Sequence, residues 1–168
     1  DRGEPDALCG LLEALDRLGG RFWIRVLYTY PSRVSDRLLD TMGAVAPVCA
    51  YLDCPVQHSH PDILRAMHRG DTVDAVARLP VRVRRRLPGA ALRTTCLVGF
   101  PGETDAHARS LDAYVREAAF DHLGVFTFSP EAGTPAADLH GRPPPETAAA
   151  RRDRVVAVQR AVVAAAGA

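Results

Sequence analysis

The stretch Leu92 to Thr104, LRTTCLVGFPGET, places an arginine and a hydroxyl on a run otherwise suited to burial, a combination that suits holding a charged, polar small molecule. Side chains alternate along a strand, so Arg93, Thr95, Leu97 and Gly99 share one face and Thr94, Cys96 and Val98 the other. A buried charge without a partner is strongly destabilising, so Arg93 on an inner face needs one. Two partners suit it: a bound polar cofactor, or Asp53 on an adjacent strand. The turn Gly99-Phe100-Pro101-Gly102, followed by Thr104 as an N-cap, lies at the carboxyl end of the strand, the edge where α/β folds bind ligands. Gly99 there permits a close backbone approach. A second polar set lies in CAYLDCPVQ, where Asp53, Pro55 and Gln57 fall on one side, with Asp53 to His58 expected at the carboxyl rim. A third is aromatic, Phe126 and Phe128 in HLGVFTFSP. Cys49, Cys54 and His58 are metal-donor types, but Cys49 and Cys54 are an odd number of residues apart and face opposite ways on a strand, which argues against a shared ion. His58 and Ser59 read as caps of the next helix, and Glu103 as a helix-start carboxylate.

Alternating helices and strands must position these groups. Residues 6 to 18 carry Leu8, Leu11, Leu12, Leu15 and Leu18 at helical spacing, ended by Gly19-Gly20. A strand is expected from Phe22 to Tyr30, stopped by Pro31. Ser35 or Asp36 caps a helix to about Val45, with Leu38, Leu39 and Met42 inward, and a strand follows over Cys49 to Gln57. Ser59 or His60 before Pro61 starts a short helix ended by Gly70. The next helix runs from Asp71 or Thr72 to Arg86, and Pro80 in its middle is expected to bend or split it, at a cost of about 3 kcal/mol if uncompensated. After the strand at Leu92 come a helix over Asp105 to Ala118, a strand over His122 to Ser129, a Gly/Pro-rich loop over Glu131 to Pro145, and a helix over Glu146 to Ala165. This order predicts an α/β fold of about four parallel strands with right-handed crossovers. Four strands are too few to close a barrel, so the chain reads as the later part of a larger sheet.

The 168 residues are one domain in size, and 47% hydrophobic content supports a core. A net charge of +1 gives no electrostatic case for nucleic acid, and the cluster Arg82, Arg84, Arg85, Arg86 reads as a solvated helix end. All 21 basic residues are arginine, a coding bias without mechanism. The apolar stretches fall short of the ~20 residues of a membrane span, and the opening DRGEPD is unlike a signal peptide, so a cytosolic protein is expected. The four cysteines have no short regular spacing and fit reduced structural thiols.

Three stretches together resemble one family: LYTYPSRVSDRLLDTM, YLDCPVQHSHPDILRAMHR, and LRTTCLVGFPGET with FDHLGVFTFSPEAGTPAADL. They are similar to the radical S-adenosylmethionine methylthiotransferases, and YPSRV, YLDxPxQH and FDHLGVFTFS favour the RimO type, which methylthiolates an aspartate of a small-subunit ribosomal protein. VGFPGE and SPxxGTPAA are shared with the tRNA-modifying MiaB type, which stands as the alternative. A non-catalytic α/β binding module is a further one. The resemblance implies that residues 1–168 form a single partial domain, the later part of a radical SAM partial (β/α)6 parallel barrel. It also implies S-adenosylmethionine and 4Fe-4S clusters as cofactors of the full-length family. The cluster motif CxxxCxxC, the amino-terminal methylthiotransferase domain and the carboxyl-terminal TRAM domain do not appear in this sequence, so the chain alone is expected to be inactive and to lack the cluster ligands. By the same resemblance Arg93 suits the cofactor carboxylate. Thr95, Gln57 and Asp53 suit ribose or methionine polar groups, and Gly99, Phe126 and Phe128 suit packing against adenine. Cys54 and Cys96 stand where the family has larger aliphatics and are expected to pack.

Overall fold

The computed structural model describes residues 6–167. DRGEP, part of the opening read above as unlike a signal peptide, lies outside them. Four strands form one parallel sheet in the order β1 (Ile24–Val26), β2 (Val48–Asp53), β3 (Ala91–Val98) and β4 (His122–Thr127). Parallel neighbours cannot be joined by tight turns, and helices supply the crossovers. The helix α1 (Ala7–Asp16) precedes β1, and α2 (Asp36–Ala44) links β1 to β2. The pair α3 (Pro61–Ala66) and α4 (Val73–Arg86) links β2 to β3, α5 (Asp105–Ala118) links β3 to β4, and α6 (Pro145–Ala166) closes the chain. Capping explains several of these bounds. Ser35 accepts the Leu38 N–H at the start of α2, the His60 ring accepts that of Asp62 at α3, and Thr104 and His107 make a reciprocal capping box at α5.

The sheet buries one face only. Leu92, Thr94, Cys96 and Val98 of β3 are buried in the core with Leu52, Leu39, Leu79, Leu111, Val115 and Val155, whereas Arg93, Thr95 and Leu97 are half-covered. Thr94 tolerates burial because its hydroxyl donates to the Cys54 carbonyl at 2.8 Å and accepts the Val56 N–H at 3.2 Å. Cys54 and Cys96 are buried free thiols, as packing residues should be. Among the described residues no helix is long and apolar enough to cross a membrane.

Three local expectations are corrected. The first strand spans Ile24–Val26 and not Phe22 to Tyr30, because Tyr28 takes a left-handed φ of 55° and the Thr29 N–H then turns to the Asp53 carbonyl at 2.9 Å. In α1 it is Cys9 and Leu12 that are buried, while Leu8, Leu11 and, two residues past the helix end, Leu18 are exposed; Leu8 and Leu11 line a groove shared with β1. The arginine cluster is not simply solvated. Arg82 bonds Asp36 at 2.6 Å and the Val34 carbonyl at 2.8 Å, Arg86 bonds Asp36 and Asp40, each at 2.7 Å, and Arg84 bonds Asp121 at 2.8 Å, so α4 is tied to its neighbours. The bond from Arg82 holds the Asp36 carboxyl below its ordinary range.

Pro80 neither splits nor ends α4, which runs unbroken through it. Proline lacks the N–H that would bond the carbonyl four residues earlier, that of Val76. The Tyr114 hydroxyl of α5 donates to that carbonyl at 2.9 Å. Burial of Tyr114 pushes its phenol well above the ordinary value, so it stays a donor. Tyr114→Phe is expected to lower stability by about 1–3 kcal/mol, the cost of an orphaned buried carbonyl. Pro80→Ala in that background should recover part of the loss by restoring the helix bond. Urea midpoints of the three variants check this.

Candidate functional site: the open face of the sheet

The register of β2 on β3 sets Asp53 opposite Arg93, and the side chains meet there, Arg93 Nη1 to Asp53 Oδ1 at 2.9 Å. Asp53 is 1% exposed and Arg93 about a third exposed, 34% for its side chain, so the pair spans from the core to the open face. The second carboxylate oxygen of Asp53 accepts the Tyr28 N–H at 3.3 Å, and its carbonyl accepts the Thr29 hydroxyl at 2.8 Å. The next inward position of β3 is Thr95, opposite Gly124 on β4, and Leu97 follows opposite Phe126. A Cβ on Gly124 would lie 3.4 Å from the Phe126 ring and 3.7 Å from the Thr95 hydroxyl. With glycine there, Phe126 lies over the sheet beside Thr95, 59% exposed. Arg25 stacks 4.7 Å from the centroid of the Tyr51 ring. The face therefore offers a guanidinium, a hydroxyl and an aromatic ring side by side.

Asp53, Arg93, Thr95 and Phe126 are thus brought together. Gln57 stands at the rim with a left-handed φ of 68°, its backbone bridging to β3 through the Thr95 carbonyl at 2.9 Å and the Leu97 N–H at 2.7 Å. Gly99 and Phe128 fall elsewhere. Gly99 turns at φ 77°, and a Cβ on it would lie 2.6 Å from that of Ala148, so the close approach it permits is to α6. The Phe128 ring meets Phe100 edge-on at 5.1 Å, and both Gly99 and Phe128 line a cavity of about 230 Å³ with Arg142, Pro143 and Ala148.

Sequence reasoning undervalued His58 and Glu103, and did not mark Arg151. The side chains of His58 and Glu103 are fully buried, with His58 Nε2 3.9 Å from Glu103 Oε1. His58 accepts the His60 N–H through Nδ1 at 2.9 Å, so the proton of the neutral ring sits on Nε2 and points toward the carboxylate. The other Glu103 oxygen accepts the Gly99 N–H and lies 3.6 Å from Arg151 Nη1. Arg151 also donates to the Glu103 carbonyl at 3.0 Å and to Asp105 at 2.8 Å, which holds the Asp105 carboxyl low. Three segments thereby clamp the Gly99 turn beside the open face. The available signal was a carboxylate inside an apolar Gly-Pro turn; its partners come from distant segments.

His60, Asp62 and His107 gather donor atoms within 4.8 Å of one another. Their bonds favour capping over a cation: Asp62 is held by Arg65 at 2.9 Å, and each Nδ1 accepts a backbone N–H at 3.3 Å at a helix start, where the dipole opposes positive charge. An iron–sulfur cluster needs converging thiolates. Among the described residues the donors that converge in a group of three are His60, Asp62 and His107, with no cysteine, so the cysteines there do not fit such a cluster; Cys54 and Cys96 are buried, which pushes their thiols up to about 11 and about 12. The open face, with its guanidinium, hydroxyl and ring, does fit the polar and aromatic parts of S-adenosylmethionine.

No family model matches the chain. Among solved structures it is similar to coproporphyrinogen III oxidase (HemN) from Escherichia coli, a radical SAM enzyme, with a TM-score of 0.70 and 18% identity over 98% of this chain and 38% of that one. It is also similar to the radical S-adenosylmethionine methyltransferase TsrM from Kitasatospora setae, with a TM-score of 0.56 and 20% identity over 71% of this chain and 24% of that one. The four-stranded parallel α/β sheet therefore shares the fold of these two structures. Among curated proteins the chain is 52% identical over 142 residues to ribosomal protein uS12 methylthiotransferase RimO of Prochlorococcus marinus, covering 84% of this chain and 30% of that protein. It is 46% identical over 162 residues to the protein of that name in Syntrophobacter fumaroxidans, covering 96% and 36%. The chain belongs to the RimO family of radical SAM methylthiotransferases and spans about a third of the length of these curated relatives.

Proposed function

We propose that residues 1–168 form the later part of the cofactor barrel of a cytoplasmic enzyme that methylthiolates the β-carbon of an aspartate in a small-subunit ribosomal protein. The observation that carries this reading is the half-covered polar face of β3 and β4 in a chain whose curated relatives are named ribosomal protein uS12 methylthiotransferases. When bound, S-adenosylmethionine supplies a carbon radical by reductive cleavage, and the protein must fix it and exclude water. On this chain Arg93 serves the cofactor carboxylate with the donors not used by Asp53, Thr95 serves a ribose or methionine polar group, and Phe126 packs on adenine over the space left by Gly124. Asp53 orients Arg93, and Gln57 holds the β2 rim in place.

Substrate choice is tested in a deletion strain carrying the full-length gene, with mass spectrometry of both tRNA and the ribosomal protein. A methylthio group on the ribosomal protein is expected; modified tRNA alone would overturn the reading in favour of the MiaB type. The role of Arg93 is tested in an intact methylthiotransferase bearing this segment. Arg93→Ala is expected to lower stability by about 2 kcal/mol, below the usual cost of breaking a buried pair because Arg93 is partly solvated, and to weaken S-adenosylmethionine binding about tenfold or more. Arg93→Lys should lose nearly as much affinity, since an ammonium cannot reproduce the planar fork. Variants with a lowered melting temperature that bind the cofactor normally would reduce Arg93 to a clamp for Asp53.

A further inference from the structure

Among the described residues five non-glycine positions have a left-handed φ. His68 and Ala119 stand just beyond the C-terminal ends of α3 and α5, where this conformation is common, and Asp6 is the short polar N-cap of α1. Tyr28 and Gln57 instead stand at the carboxyl rim of β1 and β2. A bulky aromatic residue in this region is strained, and such strain persists only where the surroundings impose it. At Tyr28 they do. Asp53 takes the Tyr28 N–H on its carboxylate and the Thr29 N–H and hydroxyl on its carbonyl, and Arg93 holds the same carboxylate at 2.9 Å. Among the described residues Tyr28 is 79% exposed at the mouth of the sheet, beside the half-exposed Leu27, at one end of a groove lined also by Leu8, Leu11 and Ile24. A strained backbone is thus held by an ion pair that reaches from the core to the open face, and it presents a tyrosine at the ligand-binding edge of a parallel sheet.

We propose that Tyr28 is a contact for the acceptor polypeptide, its ring resting against the segment that carries the residue to be modified. This rests on the function proposed above and names a residue for its protein-binding side. Tyrosine suits the task, because its rigid amphipathic ring gives a large contact at low entropic cost. The position separates it from the cofactor face, which lies along β3 and β4, while Tyr28 stands two residues beyond the end of β1. Arg93 and Asp53 then serve both sides, since their pair faces the cofactor and also sets the tyrosine.

The test uses an intact methylthiotransferase bearing this segment, the purified ribosomal protein as acceptor, and the variants Tyr28→Gly and Tyr28→Phe. Glycine relieves the strain, so the melting temperature of Tyr28→Gly is expected to hold or to rise by about 2 °C. Its S-adenosylmethionine affinity should be unchanged, while KM for the acceptor rises about tenfold or more with a smaller change in kcat. Tyr28→Phe, which keeps the ring, should retain most of the acceptor affinity. A Tyr28→Gly variant that melts lower, or one that keeps the parent's KM, overturns the proposal, the first by showing that the ring packs within the intact enzyme. A parent enzyme that leaves the ribosomal protein unmodified instead overturns the substrate reading and this role with it.

Discussion

Glu103→Ala is expected to destabilise the fold by about 3–5 kcal/mol, the range for removing one member of a buried ion pair. The carboxylate is fully buried between Arg151, whose side chain is 7% exposed, and the ring of His58. Truncation leaves two donors short of an acceptor: the Gly99 N–H and the Arg151 guanidinium, which keeps only Asp105 and the Glu103 carbonyl. Glu103→Gln should be milder, because an amide oxygen still accepts from Gly99 while the charge is lost. Arg151→Met is expected to be costly alone and less so beside Glu103→Gln, since an uncharged pair leaves no lone buried ion. Urea unfolding of the single and double variants measures that coupling. A Glu103→Ala cost below about 1 kcal/mol would show that water takes the place of the carboxylate.

Gly99→Ala is expected to cost about 2–5 kcal/mol, from two independent sources. A φ of 77° is unfavourable by about 1–2 kcal/mol for a residue with a Cβ. The new Cβ would also fall 2.6 Å from the Cβ of Ala148 and 3.6 Å from its Cα, and forcing α6 away is an overpacking cost of about 1–3 kcal/mol. Ala148→Gly in the same chain removes the clash and leaves the dihedral cost. The double variant should therefore regain the steric part, less about 1 kcal/mol for a glycine inside a helix. Thermal or urea unfolding across the four-corner cycle separates the two. A double variant no more stable than Gly99→Ala would place the whole effect in the backbone.

Both residues lie in the turn after β3, and their visibility in the chain differs. The need for a glycine at position 99 is readable because a strand that ends in Gly-Phe-Pro-Gly must turn sharply. What the glycine approaches is not readable, because Ala148 lies a whole helix, strand and loop away, in the first turn of α6. Glu103 is the harder case. Its place next to Thr104 and α5 fits a helix-start carboxylate, and only the arrival of Arg151 from α6 and His58 from the β2 rim makes it the centre of a buried network. The Asp53–Arg93 pair sits between these cases, since strand alternation offered it as one of two partners for Arg93 and the register chose it.

The chain by itself determined the features set by short-range chemistry. These are the alternation that gives β3 a buried and an open face, the caps that start α2, α3 and α5, and the parallel topology required by alternating strands and helices. Each depends on residues within a few positions of one another, where spacing and side-chain type leave few alternatives. Tertiary structure decided the rest. It shortened β1 by placing Asp53 where it captures Tyr28 and Thr29, it kept α4 whole through Pro80 by bringing the Tyr114 hydroxyl to Val76, and it left most of the leucine stripe of α1 in solvent. In the first two cases the deciding partner is remote in sequence and reaches its place only when the sheet closes its register and the helices pack. A hydrogen bond made there repairs or overrides what the local sequence prefers.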